Sequence, residues 1–342
     1  MRLAALIAVI AVVAFVAAVP FVRMPLAKMP AFIPTYETAL ILIDLLTALL
    51  LFEQFVRLRL PAVLALASAY LFDAFLIVPH ALTFPGAFAP TGLLGAKMQT
   101  TAWLYVFWHG GFPLFVVSYV LLRRLEATGT AAPIVHPARA IVLSAAAVTA
   151  LAVALTVLAT VGHDLLPVVM QGNDYSLLVS TGVSPAVWGL TLIAMVMLWQ
   201  RPQRLVDLWL MVVMWIWLFD IALAAVIGST RFDLGFYVGR VYGLIAAGFL
   251  LVTLLVKMAG LHVSALGAAA DAEQRFAELA QARSRRDIPP PGRDKPDTFV
   301  VRQNIAHYQQ LLAAGDLDED RRLSIQKLLA EEEAKSVPKS EG

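Results

Sequence analysis

Long apolar segments alternate with short polar ones along most of the chain, and this alternation predicts membrane-spanning helices. A helix needs about 20 consecutive apolar residues to cross the bilayer core. Segments of roughly that length predict eight spans, at residues 4–22, 38–56, 62–80, 99–122, 140–161, 185–200, 207–228 and 235–258. The predicted fold class is therefore all-α, a polytopic integral membrane bundle of about eight transmembrane helices with a short cytoplasmic helical tail.

Composition agrees with this pattern and excludes several kinds of functional site. The chain is 60% hydrophobic and only 15% charged, with a mean hydropathy of +0.77, so the lipid bilayer is its first expected partner. Cysteine is absent, which excludes disulfides, thiolate catalysis and cysteine-based metal centres. A formal net charge of +2 is too small to indicate nucleic-acid binding.

The distribution of lysine and arginine predicts the orientation. With a cytoplasmic N-terminus, nine of these residues fall on the inner side and four on the outer side. We therefore predict that both termini are cytoplasmic, in a bacterial inner membrane. The outer loops would be residues 23–37, 81–98, 162–184 and 229–234, and the three longer ones are expected to form a structured cap. The apolar N-terminus resembles a signal peptide, but we favour an uncleaved first span because its length suits one.

After the membrane domain, residues 1–258, the sequence predicts three further parts. Residues 259–286 read as a cytoplasmic helical extension, 287–298 as a Pro-rich linker, and 299–337 as a helical hairpin. Gly315 is expected to end the first hairpin helix, and Asp316 or Asp318 to cap the second. So small a hairpin buries little, which indicates a partner surface or a second copy in a homodimer.

Several polar residues interrupt the spans, and these are candidate functional groups because a charge inside the bilayer is costly. We single out Asp44, Asp73, His80, His109 and Trp108 as a hypothetical ligand-binding set. At 1.5 Å per residue, Asp44 falls in the outer half of the membrane, His80 at the outer rim, and Asp73 and His109 roughly at mid-bilayer. With Asp220 and Arg240 also in the outer half, this distribution suggests a cavity open to the outside. The alternative for Asp44, Asp73 and His109 is a structural hydrogen bond within the bundle, for His80 a solvated loop position, and for Trp108 an interfacial aromatic belt.

His109 is the sharpest of these candidates. It lies in WLYVFWHGGFPL, where Gly110-Gly111 and Pro113 are expected to kink or loosen the helix. A loosened helix frees carbonyl groups that can line a cavity. The imidazole would then contact a ligand or metal, or sense pH.

Asp220 and Arg240 are predicted at the same depth, roughly 10 Å below the outer boundary. We expect them to form a structural ion pair that clamps two helices together. No motif indicates catalytic residues or a metal site, and no cofactor can be named from the sequence.

Three segments together suggest a family: IPTYETALILIDLLTALLLFEQF (33–55), YLFDAFLIVPHALTFPGAF (70–88) and GLLGAKMQTTAWLYVFWHGGFPL (92–114). This pattern resembles the MASE-type membrane-associated sensor domains, in particular the fourth family of that name. The resemblance implies a membrane module that precedes a cytoplasmic output, commonly a diguanylate cyclase or a histidine kinase. Residues 259–342 carry neither the GG-[DE]-E-F motif nor Gly-rich ATP-binding boxes, so no recognisable catalytic output follows here.

Three functions compete on this evidence. The first is a non-enzymatic sensor or adaptor in bacterial signal transduction, which passes an outer signal to a cytoplasmic kinase, cyclase or regulator through residues 259–337. The second is a small proton- or ion-coupled transporter that uses the intramembrane Asp and His residues. The third is a membrane enzyme, which no nucleophile motif or metal-ligand spacing supports. We favour the first.

Overall fold

The computed structural model describes residues 2–200, 205–228, 230–286, 296–314 and 318–336. The helices are α1 (Arg2–Ala18), α2 (Phe32–Leu58), α3 (Pro61–Thr83), α4 (Thr100–Ala127), α5 (Pro137–Thr160), α6 (Leu177–Ser180), α7 (Val183–Trp199), α8 (Leu205–Ile221), α9 (Leu234–Arg286), α10 (Pro296–Ala313) and α11 (Glu319–Ser336). A π-helical segment, Ala222–Ile227, continues α8. Within the described residues the fold is all-α, as predicted.

Each predicted span coincides with an apolar helix. Six helices are long and apolar enough to cross a membrane, and α1 and α7 supply two shorter apolar helices. The chain is therefore a multi-pass membrane protein. The segment predicted as the shortest span corresponds to α7, which has 17 residues.

The helices differ in how deeply they sit in the bundle. The most apolar window of α3 is 72% buried, whereas that of α5 is 11% buried although α5 is at least as hydrophobic. Since both helices are hydrophobic, the difference in burial comes from the surroundings of each helix. The centre of the bundle is formed by α3 and α8, and α5 lies at its edge with its apolar side chains available to lipid.

Glycines bring α8 and α9 into close contact. Gly235, Gly239 and Gly243 recur every fourth residue and so share one face of α9. A Cβ on Gly239 would lie 2.8 Å from Asp220 Oδ1, and one on Gly235 would lie 2.4 Å from the Leu223 carbonyl oxygen. Only glycine allows this approach, which presses α9 against the π-helical end of α8.

The connections at one end of the bundle hold one another in place. The Leu26 amide donates to the Phe232 carbonyl at 2.9 Å, and the Arg231 amide donates to the Asn173 carbonyl at 2.9 Å. The Gln99 side chain donates to the Met170 carbonyl at 2.6 Å. These contacts confirm the expected structured cap, and we call this end of the bundle the cap end.

One predicted boundary at the cap end was wrong. Residues 32–37 were assigned to an outer loop, but α2 already begins at Phe32. Pro34 is compatible with this start, because proline is tolerated in the first turn of a helix, where its missing N–H has no partner anyway. As a result Glu37 lies on a buried helical face instead of in a loop.

The tail contains two helices that contact each other, α10 and α11. Ile305, Leu311 and Ile325 are half-buried, which fits apolar stripes that face each other across α10 and α11. The Asp318 carboxylate accepts from the Arg321 amide at 2.8 Å, so Asp318 is the N-cap. Most of the linker and Gly315 lie outside the described residues. Contacts divide the chain into two compact units, Met1–His262 and Val263–Gly342, and the domain boundaries stay a prediction.

Candidate functional site

His109 and Asp220 form a buried pair across α4 and α8. His109 Nε2 lies 3.2 Å from Asp220 Oδ2, and both side chains are almost entirely excluded from the surface. The other ring nitrogen, Nδ1, lies 3.0 Å from the carbonyl oxygen of Tyr105, one turn earlier on α4. The Tyr105 ring also stacks on the imidazole with centroids 3.7 Å apart. The imidazole is therefore held on three sides.

This arrangement fixes where the protons lie. A carbonyl oxygen can only accept, so Nδ1 of His109 carries a hydrogen. The hydrogen bond between Nε2 and Asp220 then contains one further proton, either on the imidazole or on the carboxyl group. His109 and Asp220 therefore share a proton in a site without solvent contact.

The predicted ion pair between Asp220 and Arg240 is not formed. Within the described part of the chain Asp220 pairs with His109, while Arg240 Nη1 donates to the Phe236 carbonyl at 3.1 Å. The guanidinium also lies 3.7 Å from the centroid of the Phe236 ring and 5.5 Å from that of Tyr105. Depth alone was the basis for the prediction, and depth does not say which way a side chain leaves its helix.

A second histidine–carboxylate pair lies nearer the cap end. His80 Nδ1 and Glu37 Oε1 are 2.6 Å apart, and both residues are buried. The other carboxylate oxygen of Glu37, Oε2, is buried without a hydrogen-bond partner in the described structure. Trp108 stands between the two histidines, with its ring 6.0 Å from His80 and 4.3 Å from His109. Three of the predicted site residues are thus brought together by α3 and α4.

Asp44 and Asp73 form a buried cluster that meets the two histidines at Trp108. Both are at most 2% exposed, and Asp73 interacts electrostatically with Asp44 and lies within reach of the Trp108 indole. Among the described residues the Tyr70 hydroxyl is buried without a hydrogen-bond partner, and Asp73 Oδ1 and the Trp108 indole nitrogen form no hydrogen bond of ordinary geometry. Unsatisfied polar groups at this density are uncommon in folded proteins, which marks this cluster as a candidate for binding.

The membrane domain is similar to one known protein family. The family model MASE4, described as a membrane-associated sensor, integral membrane domain, matches residues 27–261. The chain belongs to the MASE4 family. No curated protein and no solved structure matches it. The resemblance noted in the three sequence segments is confirmed, and the match ends inside α9.

In this MASE4 domain, the Gly-Gly-Phe-Pro segment does not break its helix. α4 runs from Thr100 to Ala127 without interruption, and a kink or loosening within it stays a prediction. Gly111 serves packing instead, because a Cβ there would lie 2.2 Å from Phe72 Cε1. Pro113 does free one carbonyl group, since it lacks the N–H that would bond to His109. That carbonyl lies 3.5 Å from the Trp217 indole nitrogen, which donates to it.

The structure also joins residues that sequence reasoning overlooked. Near the opposite end of the bundle, Arg123 of α4 forms a buried salt bridge with Asp207 of α8, and the Tyr119 hydroxyl donates to Asp207 at 2.7 Å. The sequence prediction counted Arg123 only as an inner-side charge and Glu37 only as a loop residue. Arg123 directly follows the predicted end of its span at residue 122, a position where a charge gives no signal of burial.

Described residues of the MASE4 domain hold no group of three or more His, Asp and Glu side chains that could bind a metal ion. Two histidine–carboxylate pairs occur here, His109–Asp220 and His80–Glu37. Such pairs can exchange a proton or respond to a nearby charge.

Proposed function

We propose that this chain is a non-enzymatic membrane sensor or adaptor in bacterial signal transduction. It resides in the inner membrane with both termini in the cytoplasm, detects a ligand from the extracytoplasmic side or the membrane, and signals through its tail. The membership in a membrane sensor family supports this reading. The excess of lysine and arginine on the predicted inner side supports the orientation.

The observation that carries the proposal is the course of α9. This helix has 53 residues, from Leu234 to Arg286, and it bears Arg240 next to the buried polar groups at the cap end. A helix transmits displacement along its axis because its backbone hydrogen bonds make it stiff. A change in packing around Arg240 would thus reach the segment that follows the family match.

Such transmission requires two packings of the bundle with different affinities for the ligand. The π-helical segment Ala222–Ile227 is a suitable place for the difference. Its i→i+5 hydrogen bonds are an irregularity that is often found at functional sites. It packs against Gly235 of α9, so a return to α-helical geometry would displace α9.

The output is proposed to be a separate kinase, cyclase or regulator, bound through residues 259–337. The test is affinity purification from native membranes in mild detergent, comparing the full chain with a chain that ends at Lys257. Leu311→Asp places a charge on the half-buried stripe of the hairpin without shortening the chain. Gln309→Asp is the matched control, because it places the same charge on an exposed neighbouring position.

A signalling protein captured by the full chain and by Gln309→Asp, but not by Leu311→Asp or the shortened chain, would support the adaptor. Equal recovery from all four forms would refute signalling through the tail. The competing transporter function predicts instead that the purified protein carries protons or ions across liposomes, and that Asp44→Asn or Asp73→Asn abolishes the flux.

A further inference from the structure

A cavity at the cap end lies beside the His109–Asp220 pair but does not include either residue. It is partly open, has a volume of about 40 Å³, and is lined by residues of α4, the 166–178 connection, the π-helical segment, the connection before α9 and the start of α9. Most of its wall is apolar, with Ala102, Met170 and Leu178 among the lining residues. Its polar lining is concentrated in two arginines and two tyrosines, Arg231, Arg240, Tyr105 and Tyr175.

Neither arginine has a counter-ion among the described residues. Neither guanidinium lies within 4.0 Å of a carboxylate oxygen there. Arg240 is 9% exposed and rests on the Phe236 and Tyr105 rings, and Arg231 lies 5.0 Å from the Phe84 ring centroid. Burial and the charge of Arg240 lower the pKa of Arg231 to about 10. Two cations that disfavour each other thus line one partly enclosed space.

The tyrosines add hydrogen-bonding capacity. The Tyr105 hydroxyl is buried without a hydrogen-bond partner among the described residues. Burial raises the pKa of Tyr175, so its hydroxyl stays protonated, and it donates to the Thr230 carbonyl at 3.1 Å. An unused donor beside two unpaired guanidinium groups is the complement of an oxyanion, which accepts several hydrogen bonds at once.

The backbone next to Arg231 is conformationally strained. Phe232, the next residue, has a φ of 72°, in the left-handed region that a bulky side chain rarely adopts. The Arg231 amide is held by the Asn173 carbonyl at 2.9 Å, and the next turn is held by Asp233, which accepts from the Phe236 amide at 2.7 Å. The connection is therefore fixed in a strained form that keeps Arg231 at the cavity, an arrangement seen at binding sites.

We propose that this cavity binds a small organic oxyanion, a carboxylate or phosphate group carried on a compact apolar body. The arginines and Tyr105 would bind the oxyanion inside the cavity, and the apolar body of the ligand would lie at its open side. A volume of about 40 Å³ holds little more than the oxyanion group itself. That this anion is the sensory ligand rests on the proposed function, whereas the binding itself does not.

The test measures the binding of benzoate to the full chain in phosphatidylcholine nanodiscs, by calorimetry and by thermal stabilisation. Benzamide is the matched probe, since it keeps the ring and replaces the carboxylate by a neutral amide. We expect benzoate to bind and benzamide to bind at least tenfold more weakly. Equal affinity for the two probes, or no binding of benzoate, inorganic phosphate or phenyl phosphate, would overturn the proposal.

Variants then assign the binding to this cavity. Arg231→Gln and Arg240→Gln should each weaken benzoate binding by about ten- to a hundredfold, the usual effect of losing a hydrogen bond to a charged group. Tyr105→Phe should weaken it by roughly two- to tenfold. Arg139→Gln, at an exposed position at the start of α5, is the control and should change nothing. Should Arg240→Gln fail to fold, Arg231→Gln, which is less buried, still decides the question.

Two sources of oxyanion are distinguished by adding phosphatidylglycerol to the nanodiscs. If it competes with benzoate, the natural ligand is a lipid headgroup, and if it does not, the ligand is a soluble anion. Failure of the two proposals is also separable. Loss of benzoate binding with intact tail-dependent partner capture refutes the ligand class alone, and the reverse result refutes the adaptor alone.

Discussion

Adjacent glycines on α4 provide a matched test of how the bundle is packed. Gly111→Ala adds a methyl group that would lie 2.2 Å from Phe72 Cε1, well inside van der Waals contact. Phe72 is 1% exposed, so its ring has little room to retreat. Gly110→Ala adds the same group one residue earlier, where the nearest atom is Val187 Cγ2 at an ordinary 3.6 Å.

The magnitude follows from two terms. Replacing glycine by alanine within a helix stabilises it by up to about 1 kcal/mol, and this gain is common to both variants. Overpacking a well-filled core costs about 1–3 kcal/mol, and this loss applies only at Gly111. We therefore expect Gly110→Ala to be neutral or stabilising, and Gly111→Ala to lie about 1–3 kcal/mol below it in the free energy of unfolding.

Unfolding by SDS titration in mixed micelles measures this difference, provided that two spectroscopic probes give one transition. Phe72→Leu in the Gly111→Ala background shortens the obstructing side chain and should recover part of the loss, which a double-mutant cycle quantifies. If Gly111→Ala proves as stable as Gly110→Ala, α3 and α4 are not in the close contact described here, and the glycines would again be candidates for a loosened helix.

Substitutions in three buried polar pairs are all measured by the same unfolding titration. Asp220→Asn should lower the free energy of unfolding little, because the amide can donate to His109 Nε2. Asp220→Ala should lower it by about 1–3 kcal/mol. Equal losses would contradict an imidazole that carries its hydrogen on Nδ1 and accepts at Nε2. Arg123→Met should lower the free energy of unfolding by about 3–5 kcal/mol, because it removes the cation paired with Asp207. Adding Asp207→Leu should restore most of that stability. A double variant no more stable than Arg123→Met would argue against the pair. Glu37→Leu should destabilise more than Glu37→Gln, since glutamine keeps an acceptor for the imidazole, and the opposite order would refute that hydrogen bond.

The positions of the helices could be predicted from the sequence because hydropathy and length are properties of one segment at a time. The span expected at 62–80 corresponds to α3, Pro61–Thr83, and the one at 140–161 to α5, Pro137–Thr160. The start of α2 could not be predicted, because Pro34 and Glu37 are residue types typical of loops. Only a buried partner for Glu37 would indicate a helix there. That partner, His80, lies 43 residues further along the chain.

Pairing between helices was beyond sequence reasoning for a physical reason. Spacing and depth place a side chain along the membrane normal, but its partner depends on the rotation of each helix and on which helices are neighbours. Asp220 and Arg240 share a depth, yet the ring faces of Phe236 and Tyr105 hold the guanidinium while His109 takes the carboxylate. The Asp44 and Asp73 cluster was identified as a set of costly groups without any indication of how they contact each other.

The buried charges of the bundle explain why an oxyanion is expected next to α9. A buried charge persists in an apolar environment only when something compensates it, and three carboxylates here are compensated locally, by a histidine or by Arg123. Among the described residues, ring faces and one carbonyl contact Arg240, and they offset part of the cost. An oxyanion in the adjoining cavity would supply the rest and would stabilise Arg240 directly. Because α9 also continues beyond the family match, this buried cation lies on the helix that leads to the tail.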